Sequence, residues 1–92
     1  MQIKKLNGKS NVIGKNIKKY RELRNLTQRD LSNKIALLGI DIYHSDISQI
    51  ENQKLLLKDF EIIAFCKALG VTYDQLFEDT DNIFDVCFLA FY

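Results

Sequence analysis

The sequence predicts an all-α fold, a compact domain of five short helices followed by an apolar C-terminal extension. Two observations carry this. Apolar residues recur at three- and four-residue steps, the period of a helix with one buried face. Threonines, glycines and asparagines stand where those segments start and stop, and proline is absent. At 92 residues one domain is the expectation. A chain of this size buries about 60–65% of its unfolded surface, enough for one core without metal or disulfide.

The elements follow in order. From Asn11 to Asn25, the residues Ile13, Ile17, Tyr20 and Leu23 form a buried stripe with lysines and arginines between them. Asn25 is the stop. Thr27 is then an N-cap, and Asp30 favours the positive end of the second helix. Leu31, Ile35 and Leu38 mark its buried face, and Gly39 ends it. "GIDIY" is too short for a partnered strand and reads as an extended connector whose isoleucines, Ile40 and Ile42, plug the core. The third helix starts near Tyr43 or His44 and runs to about Asn52, with Ile47 and Ile50 inward. Leu55, Leu56 and Leu57 follow as an apolar run that fits either the core or a dimer contact. The fourth helix runs from about Asp59 to Leu69, burying Ile62, Phe65, Cys66 and Leu69, and Gly70 stops it. The fifth opens with "TYDQLF", where Thr72 and Gln75 have capping-box spacing and Leu76 and Phe77 supply the anchor. Tyr20 and Tyr73 are expected in the core. The end, "NIFDVCFLAFY", fits a sixth helix, a strand or an interface arm, with Phe88, Phe91 and Tyr92 as candidate dimer contacts.

Composition excludes several functions. Cys66 and Cys87 with one histidine, His44, cannot supply about four zinc ligands. Cys66 reads as a buried free thiol. There is no Cys/His pair, no paired carboxylates on one helix face and no phosphate-loop glycine pattern, so an enzyme is not expected, nor is a cofactor. No apolar run approaches the roughly 18 residues of a membrane span, and no signal peptide is visible, so the cytoplasm is the expected compartment. The net charge of +1 hides an asymmetry. Residues 1–34 carry ten basic side chains against Glu22 and Asp30, whereas residues 58–92 carry Lys58 and Lys67 against seven acids. A basic half suits a polyanion partner or a solvated helix face. Short helices with a basic first half point to a helical DNA-binding domain.

The second and third helices sharpen that expectation. "LTQRDLSNKI" followed by "SDISQIEN" resembles the helix-turn-helix of the lambda-repressor-like (Cro/cI, XRE-type) DNA-binding family. The resemblance runs from about Ile13 to Glu78 and includes "IGKNIKKYRELRNLTQ" and "KALGVTYDQLF". It implies that the third helix lies in the major groove. The positions matching base readout are Tyr43, His44, Ser45, Ser48 and Gln49. Those matching phosphate contact are Thr27, Gln28, Asn52 and Lys54. Arg21 and Glu51 match a structural ion pair tying helix one to the end of helix three. Asp46 is expected to serve as an N-terminal charge for helix three.

The chain departs from the family pattern in three places. "ALLGIDIYHSDIS" lengthens the turn and resembles a subgroup with an extra helical turn. Gln53 replaces the usual glycine after "IEN", with Asn52 expected to take the left-handed conformation instead. Lys58 replaces the usual Ser or Thr cap of helix four, with Asp59 as the substitute. The organisation expected is a basic arm over 1–10, the helix-turn-helix domain over 11–79 and an apolar extension over 80–92. The expected partners are double-stranded DNA and a second copy of the chain, with no membrane. The expected function is a transcriptional regulator, a repressor on a palindromic operator. An antitoxin-type protein gripping a partner through its tail, or the N-terminal domain of a longer sensor, are the alternatives.

Overall fold

The computed structural model describes residues 5–81. They form five helices: α1 (Gly14–Leu23), α2 (Gln28–Ala36), α3 (His44–Glu51), α4 (Asp59–Leu69) and α5 (Tyr73–Leu76). Among the described residues the only extended pairing is a bridge between Leu6 and Lys9. Asn7 and Gly8 close it with positive φ, the backbone a two-residue hairpin turn requires.

One apolar cluster holds the helices together. Ile13, Ile17 and Tyr20 come from α1 and its cap, Leu31 and Ile35 from α2, Ile47 and Ile50 from α3, and Ala64, Phe65, Cys66 and Leu69 from α4. Val71 and Leu76 close it on the α5 side. Ile42 is buried in the same cluster and Ile40 packs against it half-buried, so the connector does plug the core. Burying a side chain of this size contributes about 1.5–3 kcal/mol. Cys66 is a free, buried thiol, and burial raises its pKa.

Several side chains lie elsewhere than their spacing suggests. Leu23 is 61% exposed. The stripe of α1 continues from Tyr20 by four residues to Arg24, whose Nε donates to the Leu69 carbonyl at 2.9 Å, rather than by three to Leu23. Leu38 is 45% exposed because α2 has already ended at Ala36 and the chain turns through Gly39 at φ 87°. The helical phase that would carry Leu38 inward is lost there. Tyr73 and Phe77 are also exposed, since a helix as short as α5 buries one side chain, Leu76. The N-cap of α4 remains Lys58, whose N–H donates to the Glu61 carboxylate at 2.8 Å, while Asp59 accepts from Phe60 N–H. Thr27 and Thr72 both close reciprocal capping boxes, with Asp30 and Gln75.

The end of α3 corrects another expectation. Gln53, not Asn52, takes the left-handed conformation, at φ 61°. Its N–H donates to Ile50 O at 2.9 Å and Lys54 N–H donates to Gln49 O at 2.9 Å, which makes a Schellman cap with glutamine at C′. A left-handed L-residue costs roughly 1–2 kcal/mol. Offsetting that, Gln53 is buried, its Nε2 donates to Asn11 O at 3.2 Å, and its carbonyl accepts from Ser10 N–H at 2.9 Å.

Candidate nucleic-acid interface

The pair α2–α3, joined by the segment from Leu37 to Tyr43, is the helix-turn-helix unit. Ile47 and Ile50 anchor α3 from below and are almost fully buried. The Ser32 hydroxyl on α2 donates to the Ile42 carbonyl and so fixes the connector just before α3 begins. The other end of α3 is held by α1. Asn11 Nδ2 donates to Ile50 O at 3.1 Å and to Leu55 O at 2.9 Å, while its Oδ1 accepts from Gly14 N–H at 2.8 Å. One side chain thus satisfies the first N–H of α1 and ties down the segment that leaves α3.

With its isoleucines committed, α3 shows solvent a polar face. Tyr43, at the N-cap, is 71% exposed. His44, Ser45, Gln49 and Asn52 are exposed, and Ser48 and Asp46 are half-buried. Asp46 lies in the first turn, where a carboxylate interacts favourably with the helix dipole. The exposed set offers hydroxyl, amide and imidazole groups that can donate or accept, the chemistry that reads base edges.

The N-terminus of α2 adjoins this face. Thr27 caps α2: its hydroxyl oxygen accepts from Asp30 N–H at 3.0 Å, which leaves the hydroxyl hydrogen to donate, and Asp30 Oδ2 accepts from Thr27 N–H at 3.0 Å. Those bonds hold the Asp30 pKa below the ordinary carboxylate value. The backbone N–H groups of Gln28 and Arg29 have no partner among the described residues, so the positive end of α2 is open to an anion. Arg29 reaches across to α3, its Nη2 lying 3.4 Å from His44 Nε2. Arg29 and Lys54 are exposed cations on α2 and just after α3; α3 itself carries no lysine or arginine.

Beneath the face lies a bonded network. Arg21 Nε donates to Glu51 Oε2 at 2.7 Å and Nη2 to Oε1 at 3.1 Å, a two-point ion pair between α1 and α3. Arg21 Nη1 donates to Leu26 O at 2.8 Å, and Gln28 Nε2 donates to Glu51 Oε1 at 3.1 Å. The two ionic side chains retain 11% and 3% of their exposure. The bond to Glu51 raises the Arg21 pKa. Gln28 therefore uses an amide hydrogen inside the protein and offers its backbone N–H outward.

The structure thus brings Tyr43, His44, Ser45, Ser48, Gln49 and Asn52 onto one helix and its flanks, with Thr27 and Gln28 at the neighbouring helix start. Lys54 lies just past the Schellman cap. Leu55 and Leu56 are exposed and Leu57 packs half-buried against the core. Phe88, Phe91 and Tyr92 lie outside the described residues. Asn11, Gly14 and Ser32 make contacts that seat α3, and Arg29 touches His44; periodicity singles out none of the four. Asn11 had a signal, since it precedes an apolar run as caps do. The approach of Gly14 to Ile50 joins segments distant in sequence, and the Ser32 bond to Ile42 follows no periodic spacing, so neither has one.

Among the described residues no histidine, cysteine and carboxylate cluster could hold a metal. None of their helices is long and apolar enough to cross a membrane. The chain has no match among curated proteins or among solved structures. Residues 14–81, most of the chain, match the family described as "Helix-turn-helix domain". That span opens at the first residue of α1 and closes with the last described residue, taking in every helix. By that match and by its paired α2 and α3, the chain belongs to the helix-turn-helix domain family.

Proposed function

We propose that the protein is a sequence-specific transcriptional regulator, a repressor that binds a palindromic operator as a homodimer. The observation that carries the reading is the division of α3. Its apolar side is clamped by Ile47, Ile50 and the Arg21–Glu51 pair, and its opposite side is a row of polar groups, most of them exposed. In this reading α3 enters the major groove. Tyr43, His44, Ser45, Ser48 and Gln49 meet base edges, and Gln49 is suited to bidentate bonding with adenine. The N–H groups at the start of α2, with Thr27, Gln28, Asn52 and Lys54, meet phosphates. Two such units about 34 Å apart read two half-sites on one face of the duplex. Leu55, Leu56 and Leu57, with the apolar C-terminal residues, are the proposed contacts between copies.

The test is selection of bound sequences from random DNA at fixed salt. The expected result is an enriched motif with two inverted half-sites. Absence of enrichment by folded protein overturns the reading. Enrichment of a single half-site keeps DNA recognition and removes the dimer.

A further inference from the structure

The first turns of α2 and α3 meet at the contact between Arg29 Nη2 and His44 Nε2, 3.4 Å apart. A guanidinium has only donors and does not lose its proton in proteins. The imidazole nitrogen facing it must therefore offer a lone pair. A ring that accepts at Nε2 in this way carries its hydrogen on Nδ1. That nitrogen has no partner among the described residues. We propose that Arg29 is a positioning residue that fixes His44 in the Nδ1–H form, so that α3 presents a hydrogen-bond donor at its first turn.

The consequence for recognition rests on the DNA-binding reading above. A neutral imidazole left alone exchanges between two tautomers, and either nitrogen can donate or accept. Such a group tolerates the exocyclic amines of adenine and cytosine as well as the acceptor atoms of the other bases. With Nε2 held by Arg29, the remaining nitrogen only donates. It then selects acceptor atoms, guanine N7 and O6, adenine N7 or thymine O4, and rejects the cytosine amine. The arginine contributes to specificity without touching a base. Its charge also attracts phosphate, but that effect is the same for every sequence.

His44 is the only histidine, so ring-nitrogen NMR reports on it without ambiguity. In mildly alkaline buffer the wild-type spectrum should show a protonated Nδ1 and an unprotonated Nε2. In Arg29→Ala the Nε2–H form should grow, and Arg29→Lys, which keeps a donor-only group, should restore part of the wild-type pattern. An Nε2–H ring in the wild type, or an unchanged tautomer in Arg29→Ala, overturns the positioning role. Both side chains are exposed, and circular dichroism checks that the variants fold. On DNA at fixed salt, Arg29→Ala should bind all sequences more weakly. It should also flatten preference at one operator position by about 2- to 12-fold, the worth of one hydrogen bond. In a His44→Ala background only the uniform weakening should remain. Flattening that persists in that background overturns the base-donor role. Absence of any enriched sequence for the wild type overturns the DNA reading and the donor role together, whichever tautomer the spectrum shows.

Discussion

A β-carbon built on Gly14 would lie 2.1 Å from the carbonyl oxygen of Ile50. That oxygen already accepts from Asn11, so it has little freedom to retreat. Gly14 is helical, and the glycine is there for space: it lets the start of α1 touch the last turn of α3. Without the clash, Gly14→Ala would stabilise the helix by up to about 1 kcal/mol. With it, the substitution should destabilise by about 1–3 kcal/mol, the usual cost of overpacking. Urea denaturation decides by the sign of the change, and a raised midpoint rules out the close approach. Because the contact seats α3, DNA affinity should fall in the same variant.

The Arg21–Glu51 pair makes a second expectation. Both charges are nearly excluded from water, so removing one leaves the other stranded. Glu51→Ala should cost about 3–5 kcal/mol. Replacing both by apolar residues of similar size, Arg21→Met with Glu51→Leu, should cost far less than the two single changes added together. A double-mutant cycle by chemical denaturation measures this, and additive losses would show that the pair does not act as a unit. Gln28 loses its carboxylate partner in either Glu51 variant, which adds part of a hydrogen bond to both arms equally.

What the sequence discloses and what it hides follow from the range of the forces involved. Helix starts at Thr27 and Thr72 were legible because capping is local, and the bonds span three residues. The inward faces of α2 and α3 at Leu31, Ile35, Ile47 and Ile50 were legible because helical periodicity is local too. Leu23 and Leu38 misled at helix ends, where the phase of one element stops applying. Gln53 misled because its left-handed backbone is held by Asn11 and Ser10, partners far away in sequence. Gly14 and Ser32 look ordinary until the chain has folded. The polar row on α3 was legible as residue types, but the bonds from Asn11 to the Ile50 and Leu55 carbonyls that hold the end of α3 were not.

A third expectation concerns pH. Glu78, just after α5, accepts from Lys19 Nζ at 2.8 Å and from the Tyr20 hydroxyl. Those bonds lower its pKa, the lysine contributing most. A carboxylate with a lowered folded pKa contributes stability that is fully present above its unfolded value and is lost as pH falls through the folded one. The contact holds the end of α5 against α1, alongside Asn16 Nδ2, which donates to Leu76 O and Glu78 O. Glu78→Gln should therefore lower Tm at neutral pH and match the wild type once both are well below the carboxylate range. A Tm difference that stays constant with pH would assign the effect to packing instead of charge.

The last expectation separates reading from grip. Gln49 is exposed on α3, where its amide can bond two atoms of one adenine, and it makes no side-chain bond within the described residues. Lys54 is an exposed point charge beyond the cap of α3. Gln49→Ala should reduce discrimination at one operator position by about 1–3 kcal/mol. It should leave binding to unrelated DNA and its salt dependence nearly unchanged. Lys54→Ala should weaken every sequence alike and flatten the plot of log affinity against log salt by about one phosphate contact. Titrations of the selected operator, a single-position variant and random duplex, each at several salt concentrations, supply both slopes. If the two variants lose affinity equally on all three duplexes, Gln49 does not read a base, and the row on α3 faces the backbone.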